Sequence, residues 1–145
     1  MFISVGAIIY YRGKYLLQKR DKKKNIFFPN IWGVFGGTIE KNETPLQGIK
    51  RELKEELNLK FQNPQFFLKL TIKSKNFTPH RTRYFFVCKL PLSFRKDIIL
   101  TEGQKFEFQK LEDIGHNDIV PWDFAALNYH YFSKIKKKQV LPDLS

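Results

Sequence analysis

Glu52, Glu55 and Glu56 stand at i, i+3 and i+4 in the run Arg51-Glu52-Leu53-Lys54-Glu55-Glu56-Leu57. At roughly 100° per residue on an α-helix, the three carboxylates share one strip of surface about a third of the circumference wide. Crowding of this kind is repulsive and works against an isolated helix. A hard divalent cation, Mg²⁺ or Mn²⁺, relieves the repulsion and takes oxygen ligands by preference. The spacing therefore makes the strip a candidate metal site. The competing reading is a solvated Glu/Lys-rich helix, which is common, and the flanking residues decide between the two.

Those flanks specify a helix. Thr44-Pro45-Leu46-Gln47 combines an N-cap, a proline at the first helical position and a Gln three residues after the cap, which is a capping box. Leu46, Ile49, Leu53 and Leu57 follow as an apolar stripe at helical spacing, pointing away from the carboxylates. Gly48, one turn before Glu52, is expected to leave room for a ligand. Asn58 closes the helix, being second only to glycine at a left-handed cap.

The segment 37–59 resembles the Nudix box: Gly, five residues, Glu, seven residues, then Arg-Glu-U-x-Glu-Glu-x-Gly-U, with U apolar. Gly37, Glu43, Arg51, Glu52, Leu53, Glu55, Glu56 and Leu59 match in register. The departure is Asn58 in place of the second Gly, which the left-handed tolerance of Asn makes mild. Trp32-Gly33-Val34-Phe35 ahead of Gly36-Gly37 resembles the strand entering the box. The resemblance implies an α/β/α sandwich with a mixed sheet between the box helix and a C-terminal helix. It also implies hydrolysis of a nucleoside diphosphate linked to some group X.

Roles follow from the resemblance residue by residue. Glu52, Glu55 and Glu56 match the metal-binding carboxylates, and the Gly37 carbonyl is a further oxygen ligand. Glu52 is also a candidate general base. Glu43 and Arg51 match the pair that ties loop to helix. A fourth carboxylate is expected from a distant loop. Glu102, in Leu100-Thr101-Glu102-Gly103-Gln104, is the candidate and Glu107 the runner-up. Arg20, at the end of the second strand, stands where the family faces its phosphates. Arg81 and Arg83 are two apart on one strand face and suit a phosphate clamp, since guanidinium forks match phosphate oxygens. Phe27, Phe28, Trp32 and Phe35 are expected as walls for a base or sugar, although aromatics are more often core.

The remaining sequence bounds the molecule. A length of 145 residues fits one domain, 1–145. No apolar run has membrane-spanning length and no signal-peptide pattern is present. The single cysteine, Cys88, suits a reducing cytoplasm and sits in a strand-like run, where burial is the usual outcome. The net charge of +12 raises encounter rates with anionic partners, and biased genome composition is the competing explanation. Strands are expected at 2–11 and 14–19, at 31–36 ahead of a Gly-Gly turn, at 66–74 and 81–90 around a loop, and at 105–109. A turn at 111–114 and a C-terminal amphipathic helix at 123–135 complete the chain.

Together these readings give a Mg²⁺- or Mn²⁺-dependent pyrophosphohydrolase acting on a nucleoside triphosphate, nucleotide sugar or dinucleotide. The alternatives are a Nudix enzyme working on RNA 5′ ends, where the basic charge would hold the polyanion, and a non-catalytic nucleotide-binding module. The intact carboxylates argue against the module. The sequence leaves the oligomeric state, monomer or homodimer, open.

Overall fold

A computed structural model describes residues 2–20, 30–75, 77–92, 94 and 105–136. The strands are β1 (Phe2–Ile8), β2 (Tyr10–Tyr11), β3 (Lys14–Lys19), β4 (Trp32–Gly33), β5 (Phe35–Thr38), β6 (Gln65–Ser74), β7 (Phe77–Val87) and β8 (Lys105–Gln109). Among the described residues, the α-helices that flank the sheets are α1 (Pro45–Leu57) and α2 (Pro121–His130), the latter running into a π-helical turn over Tyr131–Ile135, and a 3-10 turn spans Leu111–Asp113. One sheet has the order β5-β1-β7-β6, with β1 and β7 parallel and the other pairs antiparallel. In the second, β3 pairs with β2, β4 and β8.

Strand alternation divides the core into two layers. Val5, Ala7 and Ile9, with Leu16, Phe35 and Phe86, pack with Ile49, Leu53 and Leu57 of α1. Ile8, Tyr15, Leu17, Val34 and Phe85 turn the opposite way and pack with Ala126 and Leu127 of α2. The sheets are thus covered on both faces, the expected α/β/α sandwich.

Several details differ from expectation. The run 31–36 is two short strands, and Gly36-Gly37 lie inside β5, paired with Gly6 and Val5 of β1, instead of forming a turn. Gly36 has φ 152°, and a Cβ there would collide with the Val5 carbonyl, so only glycine lets the strands come together. The loop expected between 74 and 81 is a tight reversal, with Ser74 opposite Phe77. Leu46 does not join the apolar stripe: it is 41% exposed in the first turn of α1, beyond the edge of the core.

Candidate active site

α1 is held at both ends as its sequence dictates. The Thr44 side chain accepts from Gln47 N, and the Gln47 side chain accepts from Thr44 N, at 3.1 and 2.9 Å. Asn58 is left-handed, and its N–H closes on the Lys54 carbonyl at 3.0 Å. Glu56 is fully buried. Its Oε1 accepts from Gly36 N at 3.0 Å and its Oε2 from Gln18 Nε2 at 2.9 Å, tying the helix to β5 and β3. Glu52 is 7% exposed and lies directly against Gly37, where a Cβ would stand only 2.6 Å from Glu52 Oε1. Glu55 is half-exposed.

Arg51 joins the acidic groups. Its Nε and Nη2 grip both oxygens of Glu43 at 2.7 and 2.9 Å. Its Nη1 donates to Glu52 Oε1 at 3.0 Å and to Glu55 Oε2 at 3.2 Å, and its Nη2 reaches the Thr38 carbonyl. The guanidinium beside Glu43 holds that carboxyl below its ordinary range, and Glu43 in turn raises the affinity of Arg51 for its proton. A two-pronged grip of this kind fixes geometry as well as charge. The space beside Gly48 is taken up by Ile39 and Glu43, within 2.8 and 3.1 Å of a built Cβ. Gly48 therefore lets the loop close on the helix and does not make room for a ligand.

Across the sheet from the carboxylates, a cavity of about 240 Å³ is lined by Arg20, Arg81 and Arg83 together with Gly37, Thr38 and Trp122. Spacing placed Arg81 and Arg83 on one face, and the structure brings Arg20 to the same wall. Arg83 is only 8% exposed and already engaged: its Nε donates to Asp123 Oδ1 at 2.9 Å and its Nη1 to Ser4 Oγ at 3.1 Å. The second Asp123 oxygen accepts from Val34 N at 3.1 Å. Arg83 is thus part of the framework of the cavity before it is a phosphate clamp. Phe35, expected as a substrate wall, is fully buried against α1, because alternation along β5 turns it inward.

A family model described as NUDIX domain matches residues 2–133. The chain belongs to the Nudix family. It is 28% identical over 135 residues, 93% of its length and 92% of the relative's, to the 8-oxo-dGTP diphosphatase of Buchnera aphidicola subsp. Schizaphis graminum. It is 27% identical over 122 residues, 79% of its length and 86% of the relative's, to the nucleoside triphosphatase NudI of Escherichia coli O81. The crystal structure of a MutT protein from Methanosarcina mazei superposes with a TM-score of 0.74, covering 94% of this chain and 96% of that one at 21% identity. This protein is a Nudix hydrolase.

Among the sites expected for a Nudix enzyme, Gly37, Glu52 and Glu56 come together with the Glu43–Arg51 tie. Glu55 lies at the outer edge of the strip. Glu102, Phe27 and Phe28 fall outside the described residues. Glu107 is exposed and on the opposite strand face from Phe106 and Phe108, which pack toward α1, so it does not face Glu52. Two residues escaped sequence reasoning. Gln18 looked like an ordinary strand residue, and Asp123 looked like a first-turn acid of a helix. Its partner Arg83 is 40 positions away, and no local pattern links them.

Proposed function

We propose that this Nudix hydrolase cleaves a phosphoanhydride of a nucleoside triphosphate with Mg²⁺ or Mn²⁺ as cofactor, releasing a nucleoside monophosphate and pyrophosphate. The observation that carries the reading is the position of Gly37. One side of this residue touches the buried Glu52 carboxylate, and the other lines the arginine cavity. A phosphate chain crossing Gly37 and Thr38 would have acidic groups at one end and guanidinium groups at the other. The names of the two relatives, a diphosphatase and a triphosphatase of nucleotides, support the substrate class.

The donor set fits a hard cation, since the strip offers only carboxylate and carbonyl oxygens. Among the described residues no three Asp, Glu, His or Cys side chains close into a ready cage. Mg²⁺ does not ask for one, because it keeps several waters and takes one or two carboxylates plus substrate phosphates. Glu52 and Glu56, with the Gly37 carbonyl, would hold it, and Glu55 would join from the rim. When bound, the ion supplies charge neutralisation at the phosphates and a more acidic water.

The chain's own residues do the rest. Arg51 fixes the rotamer of Glu52 and neutralises one of its oxygens. Gln18 and the Gly36 amide fix Glu56 in the same way. In this reading Glu52 takes a proton from the attacking water, with Glu102 as the other candidate. Arg20 and Arg81 contribute charge toward the substrate phosphates from the cavity wall. The P–O bond of the anhydride breaks as the water oxygen bonds to phosphorus, and pyrophosphate leaves.

The test is hydrolysis of a panel of nucleoside triphosphates, including 8-oxo-dGTP, with Mg²⁺, Mn²⁺ or excess chelator. Monophosphate and pyrophosphate should appear only with metal. Glu52→Gln, which changes charge at nearly constant shape, should cut turnover by about a hundredfold or more with the fold retained. Full turnover in chelator, or an active Glu52→Gln enzyme, would overturn the mechanism.

A further inference from the structure

The chain has 14 acidic residues, yet none stands between Glu56 and Asp97. That stretch includes β6 and β7, so the hairpin at one end of the four-stranded sheet carries cations with no acid among them. The carboxylates of α1 are engaged at the other end of the sheet, with Glu52 against Gly37 and Glu56 on the Gly36 amide of β5. Asp123 lies on the α2 face with Arg83.

α1 lies over β5 and β1, and beyond it the same face of the sheet opens to solvent. Alternation turns Tyr84 and Phe86 of β7 to this face. The register sets Phe66 opposite Phe86, Lys69 opposite Tyr84 and Thr71 opposite Thr82, and Lys73 follows by alternation. Phe66 is 59% exposed, and Lys69, Thr71 and Lys73 are exposed with it. The Phe66 ring stands 6.1 Å from that of Tyr84 and 6.0 Å from that of Phe86. The Lys69 ammonium lies 5.5 Å from the Tyr84 centroid. Rings and ammonium groups thus share one flat surface, which runs about 23 Å from Phe66 to Lys73 at the rise of a strand. At its Gln65 end, Lys60 and Lys89 line a hollow of about 390 Å³ and extend the positive charge.

The edge strand β6 is 10 residues long. A second copy of the chain pairing along it would bring the lysines of one molecule against those of the other. The register shifts between Phe66 and Leu68 and between Ile72 and Ser74 also interrupt a regular ladder. The same charges attract a polyanion, and the rings between them offer its bases a stacking surface. An acidic protein would match the charges without needing the rings.

We propose that the β6–β7 face binds single-stranded nucleic acid through backbone charge and base stacking, which every sequence offers. The phosphates run along Lys69 and Lys73, and a base stacks on Phe66. The contact is separate from the hydrolytic cleft and needs no phosphoanhydride.

The experiment is fluorescence anisotropy with a deoxythymidylate strand of about 12 residues, within the range of single-strand site sizes. A 5′ hydroxyl and a 3′ dye leave no anhydride to cleave. The wild type should bind the strand, more weakly as salt rises. Phe66→Ser should weaken binding about fivefold to a hundredfold, the range for one base–aromatic stack, at an unchanged salt slope. Lys69→Ala/Lys73→Ala should lower the slope by about 1.4, at about 0.7 per phosphate contact on a single strand. Lys14→Ala/Lys110→Ala removes equal charge from exposed positions elsewhere and should leave the slope as it was. A thymidylate–adenylate duplex, whose base faces are covered, should bind at least about fivefold more weakly than the strand. Every substituted side chain is exposed; melting temperatures verify the folds, and nucleotide hydrolysis should stay within about twofold of wild type. No binding, equal slopes for the two lysine pairs, a Phe66→Ser protein that binds like wild type, or a duplex held as tightly as the strand overturns the platform. A glutamate peptide of the same length, held as tightly through Lys69 and Lys73, overturns it in favour of an acidic protein.

Discussion

Replacing Asp123 with alanine would leave the Arg83 guanidinium buried without its counter-charge and the Val34 amide without its acceptor. Asp123 is 1% exposed and Arg83 8%, so water cannot readily take over either role. Breaking one side of a buried ion pair typically costs about 3–5 kcal/mol, with the orphaned amide inside that range because the terms are not additive. Against a total stability on the order of 5–15 kcal/mol, such a loss is large. With a urea m-value of about 2 kcal/mol/M, a 4 kcal/mol loss moves the unfolding midpoint down by about 2 M. The partner change, Arg83→Met, should cost less, since Asp123 keeps the Val34 amide. The double variant Arg83→Met/Asp123→Ala should be less destabilised than the sum of the two, by about 1.5 kcal/mol or more. A midpoint shift below about 0.5 M for Asp123→Ala, or strictly additive effects, would refute the reasoning. Arg83 would then be a substrate clamp, and Asp123 an incidental neighbour.

His130 is 4% exposed with Nδ1 2.7 Å from the Tyr15 hydroxyl, and burial lowers its pKa from the ordinary 6.5 to about 4. Between those values the unfolded chain binds a proton that the folded chain refuses. Stability from this group is therefore complete above about pH 6.5 and is lost as pH falls toward 4, by at most about 3 kcal/mol. Urea midpoints at pH 7 and 4.5 measure the loss, and His130→Gln, which keeps an acceptor for Tyr15, should flatten it; an unchanged slope would point to the carboxylates instead. Gly37→Ala should push the Glu52 carboxylate aside and lower kcat by at least about tenfold while β5 still forms, as circular dichroism and kinetics together would show. Glu102→Gln should lower kcat with little change in KM if that loop carboxylate acts in the transition state, whereas kinetics within about twofold of wild type would leave Glu52 as the base.

What could be read from the sequence was local. The caps Thr44, Gln47 and Asn58 act within four residues of their partners, so side-chain type and spacing sufficed to bound α1. The Glu43–Arg51 tie was expected from the resemblance to the Nudix box, and it too lies within one loop and two helical turns. What could not be read was which way an apolar residue turns and which distant group a charge meets. Val34 and Phe35 are adjacent and apolar, and only the pairing with β1 decides that Phe35 enters the α1 layer. Gly48 offered no side chain to reason from, and the groups that fill its space come from a loop whose path depends on the same tie. Gln18 reaches Glu56 across 38 positions and Arg83 reaches Asp123 across 40, and no periodicity carries information that far.

The burial of Cys88 gives the molecule a reporter of its own motions. The thiol is 1% exposed in the α1-side layer, beside a strand junction closed by its N–H to the Ile8 carbonyl, and burial pushes its pKa up to about 12. At pH 8 only about one native molecule in ten thousand would carry a thiolate, the form that reacts with disulfide and alkylating reagents. Once the layer opens, the same thiol returns to an ordinary acidity and reacts readily. With one cysteine in the chain, the rate of its modification becomes a clock for the parting of helix and sheet, free of interference from any other site. Slowing of that clock by metal and nucleotide together would measure how far occupancy of the cleft tightens the fold behind it.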